Sequence, residues 1–149
     1  MSNYPSISTD VSLTELSIDS GASTTITSTG SLTTSGDLSN SGSITMTGSS
    51  TENPSLIVNG TSSGDITYNR YVNTVGSNEW DLIGSPVDGL SISSFASTND
   101  LPLATGGGSG GNQYAIGYYD NSANDWTNYT TETIEDAGDF DIGKGYQMG

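Results

Sequence analysis

The residues best suited to chemistry are carboxylates near the C-terminus of the chain. Glu135, Asp136, Asp139 and Asp141 fall within a stretch of seven residues. A calcium ion takes about six to eight oxygen ligands, and one acidic loop can supply several of them. Asp136, Asp139 and Asp141 are therefore candidate calcium ligands, and calcium is the one cofactor that the sequence suggests. A solvated acidic loop that turns at Gly138 explains the same residues, and we favour that simpler interpretation.

Aromatic side chains in the second half of the chain form a second candidate site, because ring faces can stack on sugars. Tyr118, Tyr119 and Trp126 are the candidate ligand-binding residues, in a group that also includes Trp80 and Tyr129. Such residues more often belong to a core, since each buries a large area and few aliphatic residues are available here. We favour a core role for the group. Side chains alternate along a strand, so either Tyr118 or Tyr119 is expected to point outward.

The residue types exclude most catalytic chemistry. Cysteine and histidine are absent, which removes thiol nucleophiles, imidazole bases and Ser-His-Asp triads. Paired carboxylates can hydrolyse glycosides, but a lyase acting on an acidic substrate also needs basic residues. Arg70 and Lys144 are the two basic residues of the chain. No nucleophile and base occur together in the sequence, so we predict that the protein is not an enzyme.

The charge of the chain restricts its partners. Seventeen acidic residues against two basic ones give a formal net charge of -15. Such a field repels phosphate backbones and anionic lipid headgroups, so nucleic acid is not an expected partner. The sequence also contains no apolar run long enough to span a bilayer, and membrane insertion is not expected.

The composition changes near residue 67, which predicts two differently built domains. Residues 1–66 contain 30 Ser and Thr, and Tyr4 is their only aromatic residue. Residues 67–149 contain both Trp, both Phe and seven of the eight Tyr. We therefore expect a Ser/Thr-rich domain over 1–66 and an aromatic-rich domain over 67–149.

The first domain repeats a unit made of an apolar residue, a polar turn with glycine and a second apolar residue. Ile26 and Leu38 are 12 residues apart, as are Leu32 and Ile44. Alternation of apolar and polar residues predicts short strands, with glycine in the turns. Repetition at about 20 to 22 residues per two strands favours a short parallel β-solenoid, also called a β-helix. An antiparallel β-sandwich has the same alternation and remains the alternative.

The second domain is predicted to be a β-sandwich-like fold. Alternation indicates strands over 65–72 and 79–84, and the strand that includes Trp80 is expected to be buried. Residues 113–119 and 126–130 are expected to pair around a turn at 120–125. Residues 48–54 and 106–111 are expected to form loops, of which the glycine-rich 106–111 is flexible. No stretch predicts a stable helix, and residues 92–96 predict one turn at most.

The order of these segments resembles a known group of proteins. Residues 4–23, from Tyr-Pro-Ser-Ile to Ser-Gly-Ala-Ser, and the later Gly-Ser-Leu-Thr and Gly-Ser-Ile-Thr units are similar to repeat regions of large secreted proteins of Bacteroidota, particularly flavobacteria. Residues 66–72, the Trp-Asp-Leu-Ile-Gly-Ser-Pro-Val-Asp-Gly stretch at 80–89 and Gly-Lys-Gly-Tyr at 143–146 are similar to the module that follows those repeats. The resemblance implies an internal fragment of a cell-surface protein exported by type IX secretion.

Together these features predict an all-β extracellular protein with a structural or adhesive role. The solenoid would be a rigid spacer, and the aromatic domain would cap it or recognise a ligand weakly. One alternative is a subunit that stacks end to end into an extracellular filament. Another is a carbohydrate-binding module of a secreted polysaccharide-degrading protein. The expected partners are neighbouring domains of a longer chain, identical subunits or a glycan.

Overall fold

The fold is known from a computed structural model, which describes residues 4–72, 80–104 and 111–149. It is mostly β, with 44% of residues in strands and 8% in helices. The predicted all-β class is therefore confirmed. The chain divides into two compact units, Met1–Tyr71 and Val72–Gly149, which we call unit 1 and unit 2. The boundary predicted at residue 66 coincides with the start of the last strand of unit 1, Ile66–Asn69.

Unit 1 consists of ten short strands joined by tight turns. They are β1 (Ser6–Ile7), β2 (Asp10–Leu13), β3 (Leu16–Ile18), β4 (Ser23–Ile26), β5 (Ser31–Thr34), β6 (Leu38–Asn40), β7 (Ser43–Thr47), β8 (Ser55–Val58), β9 (Ser62–Ser63) and β10 (Ile66–Asn69). Each of the strands β1 to β7 pairs in parallel with the third strand further along the chain. This pairing produces three sheets, with the orders β1-β4-β7-β10, β2-β5-β8 and β3-β6-β9.

The parallel pairing was expected, but the number of strands in each repeat was not. Paired residues lie between 19 positions apart, as for Ser6 and Thr25, and 24 positions apart, as for Ser31 and Ser55. Each repeat therefore contains three strands, and the prediction of two was wrong. The 12-residue spacing does not relate stacked residues, because Leu32 belongs to β5 and Ile44 to β7, in different sheets. The predicted loop over 48–54 connects β7 to β8 and lengthens one repeat.

The core of unit 1 is one cluster of aliphatic side chains. Alternation along each short strand turns one face inward, as in β5, where Leu32 and Thr34 are fully buried. The buried cluster consists of Ile18, Ile26, Leu32, Leu38 and Ile44. Burying an aliphatic side chain of this size contributes roughly 1.5–3 kcal/mol. Because this cluster takes its residues from successive repeats, each repeat depends on those beside it for its burial.

A buried asparagine replaces an aliphatic residue at one turn of unit 1. Asn40 occupies the position that Ile18 has in the preceding repeat. Its Nδ2 donates to the carbonyl oxygen of Asp65, 2.6 Å away, and its Oδ1 accepts from the backbone N–H of Gly42 at 3.1 Å. Gly64 comes close to this turn with φ +86°, and a Cβ there would collide with the Asn40 carbonyl oxygen. The turn therefore joins two successive repeats by polar contacts.

Unit 2 combines one antiparallel sheet with a short helix. Its elements are β11 (Asp81–Ile83), α1 (Ile92–Thr98), β12 (Leu103–Ala104), β13 (Gln113–Asp120), β14 (Asp125–Thr130), a 3-10 turn (Ile134–Asp136) and β15 (Tyr146–Met148). The strand order is β11-β15-β13-β12, and β14 pairs with β13. The expected pairing of residues 113–119 with 126–130 is thus confirmed. A second sheet, which a sandwich requires, is not shown among the described residues of unit 2.

The helix α1 corrects the prediction that the chain has no stable helix. It has seven residues, and the Ser91 side chain accepts a hydrogen bond from the N–H of Ser94 at its first turn. Ile92 and Ala96, one helical turn apart, are both buried. Ser and β-branched residues are poor helix formers in isolation, so the cap and the buried face stabilise this helix. No helix in the described parts of the chain is long and apolar enough to cross a membrane.

Aromatic and aliphatic side chains share the core of unit 2. It comprises Ile83, Ile92, Ala96, Leu101, Ile116, Tyr129, Ile134, Phe140 and Tyr146. Phe140 contacts both Phe95 and Tyr146 edge to face, with ring centroids 5.3 and 4.8 Å apart. The core role expected for Tyr129 therefore fits its position. Trp80, however, is 41% exposed, so the expectation of a buried strand was wrong for that residue.

Candidate functional site

The alternation of β13 separates the predicted ligand-binding residues. Tyr118 points toward the core, where its ring lies 5.5 Å from that of Tyr129. The ammonium group of Lys144 is 5.2 Å from the centre of the Tyr118 ring. Tyr119 points to the opposite face and is 38% exposed. Tyr119 is therefore the outward residue of the pair, and Tyr118 packs inside unit 2.

Tyr119 and Trp126 form an exposed aromatic pair across the β13–β14 hairpin. They are directly opposite in the strand register, and both side chains are 38% exposed. Their ring centroids are 5.5 Å apart at an angle of 74°. The Tyr119 hydroxyl donates to Oδ1 of Asn124 at 3.0 Å, which ties the ring to the turn. Both aromatic groups are thus held in place while they remain accessible to solvent.

The hairpin turn is fixed by the carboxylate of Asp120. Its Oδ1 accepts hydrogen bonds from the side chain and the backbone N–H of Ser122, at 2.6 and 2.8 Å, and from the N–H of Ala123 at 3.4 Å. These hydrogen bonds, chiefly those from Ser122, lower the pKa of Asp120. Asn124 completes the turn in the left-handed region, with φ 54°. The turn therefore orients Tyr119 and Trp126 without help from a ligand.

Two amide side chains lie on the same face of the sheet as the aromatic pair; Asn128 is partly exposed, whereas Gln147 is buried, with 9% of its surface exposed. Asn128 is two residues after Trp126 on β14, and Gln147 pairs with Gly117 on the next strand. Gln147 Nε2 donates to Asn128 Oδ1 at 2.5 Å. Sequence reasoning missed both amides, although the period of two that includes Tyr119 and Trp126 would have indicated Gly117 and Asn128. We call Tyr119, Trp126, Asn128 and Gln147 the aromatic–amide face.

Glycines form the floor of the aromatic–amide face. Gly117 has no side chain, and the Oδ1 of Asn128 lies 2.5 Å from where its Cβ would be. Gly145 precedes Tyr146, which pairs with Tyr118, so the antiparallel register brings Gly145 beside Tyr119. A Cβ added at Gly145 would meet no atom within 4 Å. The Asn128 side chain therefore covers Gly117, whereas the backbone at Gly145 is open.

The predicted calcium ligands are not gathered into one cluster. Asp136 ends the 3-10 turn, and Asp141 forms a salt bridge of 3.0 Å with Lys144. Asp139 forms a backbone bridge with Ser91. No group of three or more acidic side chains that could hold a metal ion occurs in the parts of the chain that the structure describes. The calcium site stays a prediction from the sequence.

The acidic segment has structural contacts of its own. Glu135 Oε1 accepts a hydrogen bond from the Ser93 hydroxyl at 3.0 Å, which links the 3-10 turn to α1. The hydrogen bond from Lys144 to Asp141 raises the pKa of the lysine. Lys144 also lies 5.4 Å from the centre of the Tyr146 ring. These contacts connect the segment to the helix and to the aromatic core.

Comparisons of the chain with protein-family models, with curated proteins and with solved structures find no match. The aromatic–amide face is therefore interpreted from its own geometry.

Proposed function

We propose that this chain is a structural and adhesive segment of an extracellular bacterial surface protein. In this proposal unit 1 is a parallel β-solenoid that acts as a spacer, and unit 2 is a recognition unit. The observation that carries it is the pairing in unit 1, where each of the strands β1 to β7 pairs in parallel with the third strand further along. The resemblance to repeat regions of secreted proteins supports the location outside the cell.

The physics of such a stack suits a spacer. Each repeat contacts only its neighbours, so length can be changed by adding repeats without rebuilding the fold. Neighbouring strands are about 4.8 Å apart, and each repeat lengthens the stack by that amount. The surface consists largely of Ser and Thr, both of which are uncharged. Thr is also β-branched, and it therefore favours an extended backbone. Unit 1 thus combines a continuous core with a surface of little reactivity.

Engineered disulfides test the solenoid directly. Ser17 pairs with Ser39, and Ser39 pairs with Ser63, in three stacked and exposed positions. A disulfide joins Cα atoms about 4.4–6.8 Å apart. The Ser17→Cys/Ser39→Cys variant is therefore expected to oxidise within one chain. The matched control, Ser17→Cys/Ser63→Cys, places the two Cα atoms two strand spacings apart, at about 9.6 Å, and is expected to remain reduced.

The readout is unambiguous because the natural chain has no cysteine. Mass spectrometry after mild oxidation measures the fraction of each variant with an internal disulfide. If the control links as readily as the adjacent pair, or if neither links, the solenoid is wrong. An antiparallel arrangement would join strands that are neighbours in sequence instead.

A second candidate function, a filament subunit, is favoured by the open side of the first repeat. β1, β2 and β3 are edge strands, and a cavity of about 340 Å³ beside them is lined by Ile7, Leu13, Leu16 and Ile18 among others. Unpaired edge strands are templates for further pairing. A second copy stacked there would cover these side chains. Light scattering that shows a monomer up to high concentration would contradict this alternative.

A further inference from the structure

We propose that the aromatic–amide face of unit 2 is a binding site for uncharged polysaccharides. This inference rests on the role of unit 2 as a recognition unit and specifies its ligand. Four features support it in turn: an exposed aromatic corner, a pre-arranged amide pair, an open glycine floor and the charge of the unit.

The aromatic corner has the geometry to hold a sugar ring. The rings of Tyr119 and Trp126 meet at 74°, so that together they present two surfaces at an open angle. The faces of pyranose rings carry C–H groups that contact aromatic carbon, and Tyr and Trp also keep a polar group for water or hydroxyls. Residues of this kind are rigid anchors in binding sites because few torsions are fixed on binding.

The amide pair supplies a polar contact for a sugar through its partly exposed member, Asn128. The hydrogen bond between Gln147 Nε2 and Asn128 Oδ1 fixes both side chains. Asn128 is partly exposed, and its Nδ2 is left to donate to a ligand, whereas Gln147 is buried and holds the Asn128 amide in place. Adjacent hydroxyls of a sugar can each donate and accept. The Asn128 amide, fixed by Gln147, therefore supplies a donor to a sugar hydroxyl.

The spacing of the face fits a chain of sugars better than a single small molecule. Asn128 and Trp126 are two residues apart on β14, which places their Cα atoms about 7 Å apart. That separation is comparable with one sugar unit. The open backbone at Gly145 extends the surface beside Tyr119, so that a neighbouring sugar can lie flat without meeting a side chain.

The charge of unit 2 selects the ligand class. The unit contains eleven of the seventeen acidic residues and Lys144 as its basic residue. Asp120 and Asp125 pair at the end of the hairpin, close to the aromatic corner. An anionic polysaccharide would be repelled by this field, whereas a neutral one is not. We therefore assign uncharged glycans, and not sulfated or uronic acid polymers.

The test measures binding to an array of neutral oligosaccharides, including β-glucans, mannans and xylans, beside sulfated and uronic acid glycans. Fluorescence titration with a retained neutral oligosaccharide then follows Trp126 in a Trp80→Phe background, where Trp126 is the single tryptophan. Trp126→Ala, measured by calorimetry in the natural chain, is expected to weaken binding about tenfold or more. Asn128→Ala and Gly145→Leu are also expected to weaken it, the first by removing a donor and the second by filling the open floor.

A matched control separates the site from general surface apolarity. Ile142 is 72% exposed and belongs to unit 2 outside the aromatic–amide face. Ile142→Ala is expected to bind like the natural chain, and melting curves check that every variant remains folded. Equal losses for Ile142→Ala and Trp126→Ala would overturn the assignment of the site.

Other outcomes would contradict the assignment of uncharged polysaccharides as the ligand. Retention of anionic glycans alone, retention of no glycan, or a dimer that Trp126→Ala abolishes would each contradict the proposal. None of these results would affect the disulfide test of unit 1, so failure of the glycan site is distinguishable from failure of the spacer.

Discussion

The protonation of Tyr129 makes the stability of the unit 2 core depend on alkaline pH. Burial raises the pKa of Tyr129 to about 12, from an ordinary value of 10.0, and the nearby Tyr146, Tyr118 and Asp141 add to the shift. The folded state therefore holds the phenol proton more tightly than the unfolded state. Its contribution to stability is fully present below pH 10.0 and is lost as the pH rises toward about 12.

We expect the melting temperature of unit 2 to fall steeply between these two pH values. Tyr129→Phe keeps the ring but removes the titrating group, so that its melting temperature should change less over the same interval. Tryptophan fluorescence reports on unit 2, which contains both Trp residues. The same decline in both proteins would show that other groups control alkaline unfolding.

Single residues of the candidate site were predictable to different extents. The alternation of side chains along a strand was enough to place Tyr118 and Tyr119 on opposite faces of the sheet. It did not show which of the two is exposed, because that depends on the packing of Tyr129 and Lys144 against Tyr118. Asn128 and Gln147 had no signal of their own. Amides are common on surfaces, and only the strand register between β13 and β15 brings these two together.

At the level of elements, Asn40 joins two repeats of unit 1. Replacing its amide group with a carboxylate tests this role. Asn40→Asp keeps an acceptor for the Gly42 N–H but replaces the donor to the Asp65 carbonyl with a second oxygen. Two buried acceptors then face each other, and an unsatisfied buried group costs about 1–3 kcal/mol. We expect a loss of stability of about this size or more at neutral pH.

The loss in Asn40→Asp should diminish in acid, because a protonated carboxyl group can donate to Asp65 again. The natural chain is the reference at each pH, since hydrogen bonds from Thr61 lower the pKa of Asp37 and that contribution is itself lost as the pH falls. Asn40→Ala has no donor at any pH and is the control without recovery. Urea unfolding followed by circular dichroism measures all three proteins, and an Asp variant without recovery would contradict the donor role of Asn40.

The elements show why the sequence predicted the class of fold better than its repeat. Short apolar–polar alternation and glycine turns indicated parallel strands, and these are present. The third strand of the last repeat was hidden because β9, Ser62–Ser63, has no apolar residue to mark it, unlike β3 and β6. The helix α1 was hidden for a related reason. Its sequence has weak helix propensity, and the packing of Ile92 and Ala96 against distant residues is not visible in a local pattern.

At the scale of the whole molecule, the distribution of charge is uneven. Unit 1 contains six acidic residues and Arg70, for a net charge of -5, whereas unit 2 contains eleven and Lys144, for -10. Repulsion among like charges destabilises a compact state, and it weakens as salt shortens the screening length. The two units are of similar length, so that unit 2 has the higher charge density and should depend more on salt.

We expect amide hydrogen exchange to slow in both units when salt is raised from about 0.01 M to about 1 M, which shortens the screening length from about 30 Å to about 3 Å. The slowing should be greater in unit 2, and mass spectrometry of peptides resolves the units within one sample. An equal or greater response of unit 1 would contradict the argument from charge density.

The same experiment tests calcium binding, since about 1 mM calcium chloride adds almost nothing to the ionic strength of about 1 M salt. Further protection of residues 135–141 with calcium, compared with EDTA, would indicate the predicted site at Asp136, Asp139 and Asp141, and identical exchange would eliminate it.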